Sequence, residues 1–317
     1  MKKIQKISGL VFLSIIISLI GSLLLFGQKD IPKESLKAKY CTNSSRFMPL
    51  MGMKVHYRIE GNNLDTIPIL LIHGTSSSLH TWDSVVSLLS TSQNLNKRII
   101  RVDLPAFGLT GPSPENKYNY NFYNQFLDSF LNRLHINQCI IAGNSLGGGI
   151  AWHYALAQPK KVNKLILIDA SGYPLKNEKG SLGFKIASMP IINNLLLYIT
   201  PKVLVKKSLE GIFYDKSFIT EDRVTRYHEL LLCEGNRKAT LSIFKNRQQA
   251  DPTEIKNINT PTLIIWGDQD QVIAVENAYF FKKDMKNSQL LILSNVGHIP
   301  MEEAPKKVSE AFVSFIK

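Results

Sequence analysis

Apolar residues fill positions 7–27 (ISGLVFLSIIISLIGSLLLFG), a run without a charged side chain. Lys2, Lys3 and Lys6 precede it, and residues 28–50 after it are polar, lysine-rich and without period. Beyond position 50, strand-like and helix-like patterns alternate. Residues 53–60 (MKVHYRIE) switch between apolar and polar in the manner of an edge strand. Residues 68–72 (PILLI), 98–102 (RIIRV), 138–142 (QCIIA) and 164–168 (KLILI) read as short strands, several of them continuously apolar. Between these, 118–134 places Phe122, Phe126, Phe130 and Leu134 at i, i+4 spacing, and 146–158 is helical in character. From 172 to 255 the strand signal disappears, and helical stretches such as IINNLLLYI and VLVKKSLEGIF take over. Alternation resumes at 262–266 (TLIIW), 289–293 (QLLIL) and a helix over 305–316. The pattern predicts an α/β fold, a mostly parallel sheet covered by helices on both faces, with a helical lid inserted between two strands. The expected organisation is a signal anchor over 1–27, a juxtamembrane linker over 28–50, a core in two parts (51–171 and 256–317) and a lid over 172–255.

Charge adds a possible surface to this picture. The 317 residues carry a net charge of +13. The first 40 hold 7 basic and 2 acidic side chains, and residues 171–259 hold 14 and 9, so the excess collects in the tail and the lid. Such segments suit an anionic membrane surface, or are simply solvated lysine-rich faces. No nucleic-acid-binding motif or dense basic stripe is present. The run 7–27 is as long as the ~20 residues that cross a bilayer core and longer than a cleaved signal core of ~7–15. No small-x-small cleavage site follows it. An uncleaved anchor with an exported catalytic domain is therefore expected, with a cleaved signal peptide as the alternative. Cys41, Cys139 and Cys233 are too few and scattered for a disulfide framework or zinc site. The sequence carries no signal for an oligomeric state.

The candidate chemistry begins at GNSLGG (143–148), where the strand 138–142 becomes the helix 146–158. Attack on an ester carbonyl needs an exposed serine oxygen held at a defined point, and a sharp strand-to-helix turn supplies that. Glycines two residues before and after Ser145 remove the side chains that would collide in such a turn. The helix start also aims backbone N–H groups at the reaction centre. A serine needs a base, and the base an orienting acid. His298 follows the last strand and Asp270 the one before, so all three residues fall at strand C-terminal ends, in the order Ser145, Asp270, His298. Asp268 and Asp169 are rivals for the acid. His56, His73, His80, His135, His153 and His228 are rivals for the base. His135 and His153 read as packing residues in helices, and His73 as shaping its loop. Serine at 145 could also be a plain helix N-cap.

At these residues the sequence resembles the α/β-hydrolase fold family in its lid-bearing branch. Besides GNSLGG, the matching motifs are LLIHGT (70–75), VDLPAFGLT (102–110), IDASGYP (168–174), WGDQDQVI (266–273) and NVGHIPMEEAP (295–305). The likeness covers about residues 50–317 and is strongest to bacterial lipases and esterases and to carbon–carbon hydrolases of aromatic catabolism. It implies Ser145 as nucleophile, Asp270 as acid and His298 as base, with backbone N–H groups of Thr75 and Leu146 forming an oxyanion hole. It implies a structural role for Asp103, and no metal or organic cofactor. Ala106 stands where the family more often has glycine, and Thr110 where serine is common. The expected activity is hydrolysis of carboxylic esters, small or lipid-like. Carbon–carbon bond hydrolysis of ring-fission products, or ligand binding without catalysis, are the alternatives. The lid aromatics Phe184, Tyr198, Phe213, Tyr214 and Phe218 are expected to pack between helices.

Overall fold

The structure is a computed structural model that describes residue 21 and residues 27–91, 95–174, 181–189, 192–246 and 251–317. Eight strands form one sheet: β1 (Ser45–Leu50), β2 (Met53–Gly61), β3 (Ile69–Ile72), β4 (Arg98–Val102), β5 (Cys139–Asn144), β6 (Val162–Ile168), β7 (Thr262–Gly267) and β8 (Ser288–Leu293). Their order is β1-β2-β4-β3-β5-β6-β7-β8. β1 and β2 run antiparallel to their neighbours, and all pairs from β4 to β8 are parallel. In chain order the helices are α1 (Lys33–Tyr40), α2 (Asp83–Thr91), α3 (Tyr120–Arg133), α4 (Leu146–Ala157), α5 (Leu182–Ser188), α6 (Lys202–Glu210), α7 (Glu221–Leu231), α8 (Asn236–Lys245), α9 (Glu276–Asp284), α10 (Pro300–Glu303) and α11 (Pro305–Ile316).

The central parallel strands are largely apolar because both faces are covered, β3 (ILLI) throughout, while β4 carries Arg98 and Arg101. In β3, Leu70 and Ile72 join one core and Ile69 and Leu71 the other. In β7, Ile264 and Trp266 face the first and Leu263 and Ile265 the second. This two-residue period divides each strand between two helical layers. α3 presents the anticipated stripe: Phe122, Phe126 and Phe130 are buried, and Phe130 meets Tyr57 of β2 edge-to-face at 5.4 Å. Asn119 caps this helix by accepting from the Phe122 N–H at 2.8 Å. Between β6 and β7 the described residues form helices and no strand.

Two expectations are corrected. Residues 28–50 are not a bare linker: they hold α1 and β1, and β1 pairs along β2. β2 is therefore an inner strand, and β1 takes the edge, where Pro49 removes one ladder donor from the chain. The polar composition of the arm before β1 hid its order, because partners of that arm lie far away in sequence. The Glu229 carboxylate receives Tyr40 Oη at 2.5 Å and Lys39 at 2.7 Å. Arg58 donates to the Tyr40 carbonyl at 2.7 Å. The expected anchor lies outside the described residues apart from Gly21 and Gly27, and among the described residues no helix is long and apolar enough to cross a membrane.

Candidate active site

Ser145 sits between β5 and α4 with φ +54° and ψ −117°. A non-glycine residue in this region costs on the order of 1–3 kcal/mol, so the surroundings must hold it there. They do so through close backbone packing. A Cβ on Gly143 would stand 2.2 Å from the Gly147 carbonyl oxygen, and one on Gly147 would stand 2.5 Å from the carbonyl oxygens of Ile72 and His73. A Cβ on Gly74 would lie 3.1 Å from the Ser145 Cβ. The Ser145 N–H donates to the Ile168 carbonyl at 3.1 Å, and its carbonyl accepts from the Ser171 N–H and Oγ–H at 3.0 and 3.1 Å. The hydroxyl itself makes no capping bond to α4, so the N-cap alternative does not describe it.

Of the three candidate acids, Asp270 meets the histidine: its Oδ2 lies 2.7 Å from His298 Nδ1. Asp270 Oδ1 accepts from the Val272 and Ile273 N–H groups at 2.7 and 3.0 Å. A carboxylate fixed this way makes Nδ1 the protonated nitrogen and leaves the Nε2 lone pair free to accept. Asp268 instead accepts from the Asn295 N–H at 2.8 Å and ties its loop to the one that carries His298. Asp169, fully buried, accepts from the Gly267 N–H at 3.1 Å. Burial, and then the neighbouring Asp270 carboxylate, push its carboxyl well above the usual range. One oxygen from each aspartate and a ring nitrogen of His298 fall within 4.8 Å of one another. That spacing could hold a metal ion, whereas the short Asp270–His298 bond already engages Nδ1 and Oδ2 with each other.

Asn144, which the motif reading passed over, ties the Ser145 turn to the His298 backbone. Its Nδ2 donates to the His298 carbonyl at 3.0 Å and the Ile168 carbonyl at 3.2 Å. Glu303 was also unread, although it stands in the quoted NVGHIPMEEAP. Its carboxylate accepts from the N–H groups of Gly297 at 2.8 Å, Asp215 at 2.6 Å and Tyr214 at 3.3 Å. The His298 N–H donates to the Ile212 carbonyl at 2.9 Å. The histidine loop is thus stitched directly to the helical insertion. No apolar or spacing signal marks such a contact, since the pair Glu302-Glu303 reads as surface.

Leu146 is the first residue of α4, so its N–H has no intrahelical acceptor. The Thr75 N–H finds none among the described residues. The loop carrying Thr75 is set by His73, whose Nδ1–H donates to the Gly74 carbonyl at 2.8 Å while Nε2 accepts from the Leu104 N–H at 3.0 Å. Burial lowers its proton affinity, and with both nitrogens engaged it shapes the loop. Asp103 is structural: it accepts from His56 at 2.7 Å and from the N–H groups of Leu79 and Leu109 at 2.8 Å. His153 packs between Tyr120 and Trp152, and burial brings it down to about 4. His135 differs from expectation: it lies beyond α3 at φ +56°, exposed.

A cavity of about 100 Å³ runs from Thr75 and Ser76 into the insertion, walled by Phe184, Leu196, Leu204, Leu209, Leu241 and Phe244 among others. Phe184 of α5 packs on Phe244 of α8 at 5.3 Å, as expected between helices, while Phe213 stacks on Phe218 at 6.4 Å in the connection from α6 to α7. Tyr198 and Tyr214 do not pack inward but are exposed. Arg237 also lines the cavity. Asp30 pairs with its Nε and Nη2 at 2.9 and 2.6 Å, while its buried Nη1 has no partner among the described residues.

Residues 67–189 and 194–305 match the family model described as the alpha/beta hydrolase fold. An uncharacterized hydrolase of Bacillus subtilis (strain 168) is 30% identical over 84% of this chain and 95% of its own. Lipase 3 of Moraxella sp. (strain TA144) is 26% identical over 91% of this chain and 87% of its own. Among solved structures, a meta-cleavage product hydrolase from Pseudomonas fluorescens IP01 superimposes with a TM-score of 0.73, at 23% identity, over 86% of this chain and 97% of that one. At that identity the likeness speaks for the fold.

Proposed function

The chain belongs to the α/β-hydrolase fold family, and on that premise we propose that it hydrolyses carboxylic esters through Ser145, His298 and Asp270. The observation that carries this reading is the 2.7 Å bond from His298 Nδ1 to Asp270, which leaves Nε2 as the basic nitrogen beside the serine turn. In the first half-reaction Ser145 Oγ adds to the ester carbonyl as Nε2 takes its proton. Asp270 remains ionised and steadies the imidazolium. The developing oxyanion lies between the Thr75 and Leu146 N–H groups. Collapse expels the alcohol, which takes the proton from Nε2 and leaves an acyl-serine. Water, deprotonated by Nε2, then adds to that acyl carbon and releases the acid.

The cavity beginning at Thr75 accepts the acyl chain, and its apolar walls favour hydrophobic esters. The helices between β6 and β7 act as the lid over it, and the run 7–27 holds the exported domain at a membrane. Hydrolysis of p-nitrophenyl esters from acetate to palmitate, by the wild type and Ser145→Ala, tests the reading. Removing the nucleophile should cut turnover by several orders of magnitude, roughly 10⁶-fold in the best-studied triad. Turnover that survives in Ser145→Ala would overturn the mechanism, and a sharp preference for acetate would overturn the hydrophobic substrate class.

One observation favours a second reading. The unpaired Arg237 Nη1 at the cavity wall would suit a substrate carrying a carboxylate, as the ring-fission products of carbon–carbon hydrolases do. Ser145-dependent cleavage of such a diketone acid, with no ester turnover, would favour it. Failure of a fluorophosphonate to label Ser145 in the folded protein would favour binding without catalysis.

A further inference from the structure

The helical insertion is apolar on two sides. Phe184, Leu196 and Leu204 line the cavity, whereas Leu182, Met189, Ile192, Leu195, Tyr198 and Val203 from the same stretch face outward. Seven of the eleven exposed large hydrophobic residues among those described lie between positions 182 and 214. Exposure this concentrated marks an interaction surface rather than scattered surface leucines.

Two observations indicate what covers it. The first is where the chain arrives. The Gln28 N–H donates to the carbonyl of exposed Tyr198 at 2.7 Å, and Ile31 bridges to Cys233 in parallel. Asp30 is locked to Arg237 of α8. The uncharged run 7–27 therefore ends next to a backbone bond with this face. The second is charge. Lys29, Lys185 and Lys206 are exposed and have no acidic partner among the described residues, while Lys202 and Lys207 are paired with Glu221 and Glu210. Unpaired lysines around an apolar face suit a surface of anionic headgroups over acyl chains.

We propose that the outer face carrying Leu182, Ile192, Leu195 and Val203 docks onto an anionic phospholipid bilayer. Its apolar side chains enter the headgroup region, and Lys29, Lys185 and Lys206 contact lipid phosphates. The arm 28–31 holds the insertion to the end of the anchor, so one helical layer separates the cavity from lipid. A hydrophobic ester could then reach the cavity from the membrane rather than from water. The inference rests on reading 7–27 as an anchor and the cavity as an acyl site.

The test uses the full chain in vesicles of phosphatidylcholine and phosphatidylglycerol, with and without dibrominated acyl chains, which quench tryptophan on contact. Val203→Trp and Leu195→Trp place a probe on the face, and Leu64→Trp places one on an exposed loop elsewhere, 89% accessible in the wild type. Native Trp82, Trp152 and Trp266 are buried and give a common background. The expected result is loss of the added emission by bromolipid at 203 and 195, and none at 64. Water-like, unquenched emission at 203 and 195 would overturn the proposal. So would blue-shifted but unquenched emission, since the run 7–27 or a second copy would then cover the face. Equal quenching at all three positions would overturn it as well. Quenching requires no turnover, so a chain inactive on every ester that still showed the pattern would refute the ester reading and leave the surface standing.

Discussion

Glu303→Ala should cost both stability and turnover, although Glu303 contacts none of the proposed catalytic side chains. Its buried carboxylate accepts three backbone N–H groups, two of them at 2.6 and 2.8 Å, and no cation pairs with it among the described residues. Hydrogen bonds to a charged group are worth about 1.5–3 kcal/mol each, so the two short ones represent roughly 3–6 kcal/mol. Removing the carboxylate also removes its own desolvation cost, which offsets part of this and leaves a net loss of about 2–4 kcal/mol. At roughly 2–3 °C per kcal/mol for a domain of this size, the melting temperature should fall by roughly 4–12 °C. The catalytic consequence follows from position. Gly297 precedes His298, and Tyr214 and Asp215 lie next to the strand of chain whose Ile212 carbonyl receives the His298 N–H. Releasing these N–H groups loosens the base, so kcat on a p-nitrophenyl ester should drop by about tenfold or more for each ~1.4 kcal/mol of lost positioning, with KM changing less. Glu303→Gln keeps one acceptor oxygen and should fall between the wild type and the alanine variant in both readouts. An alanine variant that melts and turns over like the wild type would refute the claim that the carboxylate couples the insertion to the histidine loop.

Two further changes test the local energetics. Asp169 holds its proton to a higher pH folded than unfolded, so its contribution to stability is complete below the ordinary carboxylate range and is lost as pH rises through the raised value. Asp169→Asn should therefore gain melting temperature over the wild type as pH increases from 4, and a gap independent of pH would contradict the upward shift. Ala106 is buried at φ +86°; its strain of about 1–3 kcal/mol exceeds the ~0.8 kcal/mol from burying one methyl group. Ala106→Gly should leave stability unchanged or raise it by up to about 2 kcal/mol, and a clear loss on denaturant unfolding would show that the methyl packing dominates.

What could be read from the sequence, and what could not, separates by the range of the interaction responsible. The serine turn is a local device: Gly143 is forced by Gly147 and Gly147 by the end of the adjacent strand β3, so a short motif suffices to locate it. Strands such as β3 are legible because burial on both faces leaves them continuously apolar. The acid was harder because Asp169, Asp268 and Asp270 all stand at strand ends, and type and spacing do not distinguish them. The choice is made by geometry: two backbone N–H groups turn Asp270 toward His298, while the Asn295 N–H captures Asp268 and the Gly267 N–H captures Asp169. In segment 28–50 the linker reading missed both a local hairpin, β1 on β2, and the arm before it, whose order comes from residues about 190 to 210 positions away, Glu229 for Tyr40 and Arg237 for Asp30. Those same distant contacts give the segment its consequence. A bare linker would leave the direction of the chain at position 28 independent of the domain, whereas an arm bonded to Tyr198, Cys233 and Arg237 fixes it relative to the insertion and the cavity beneath it.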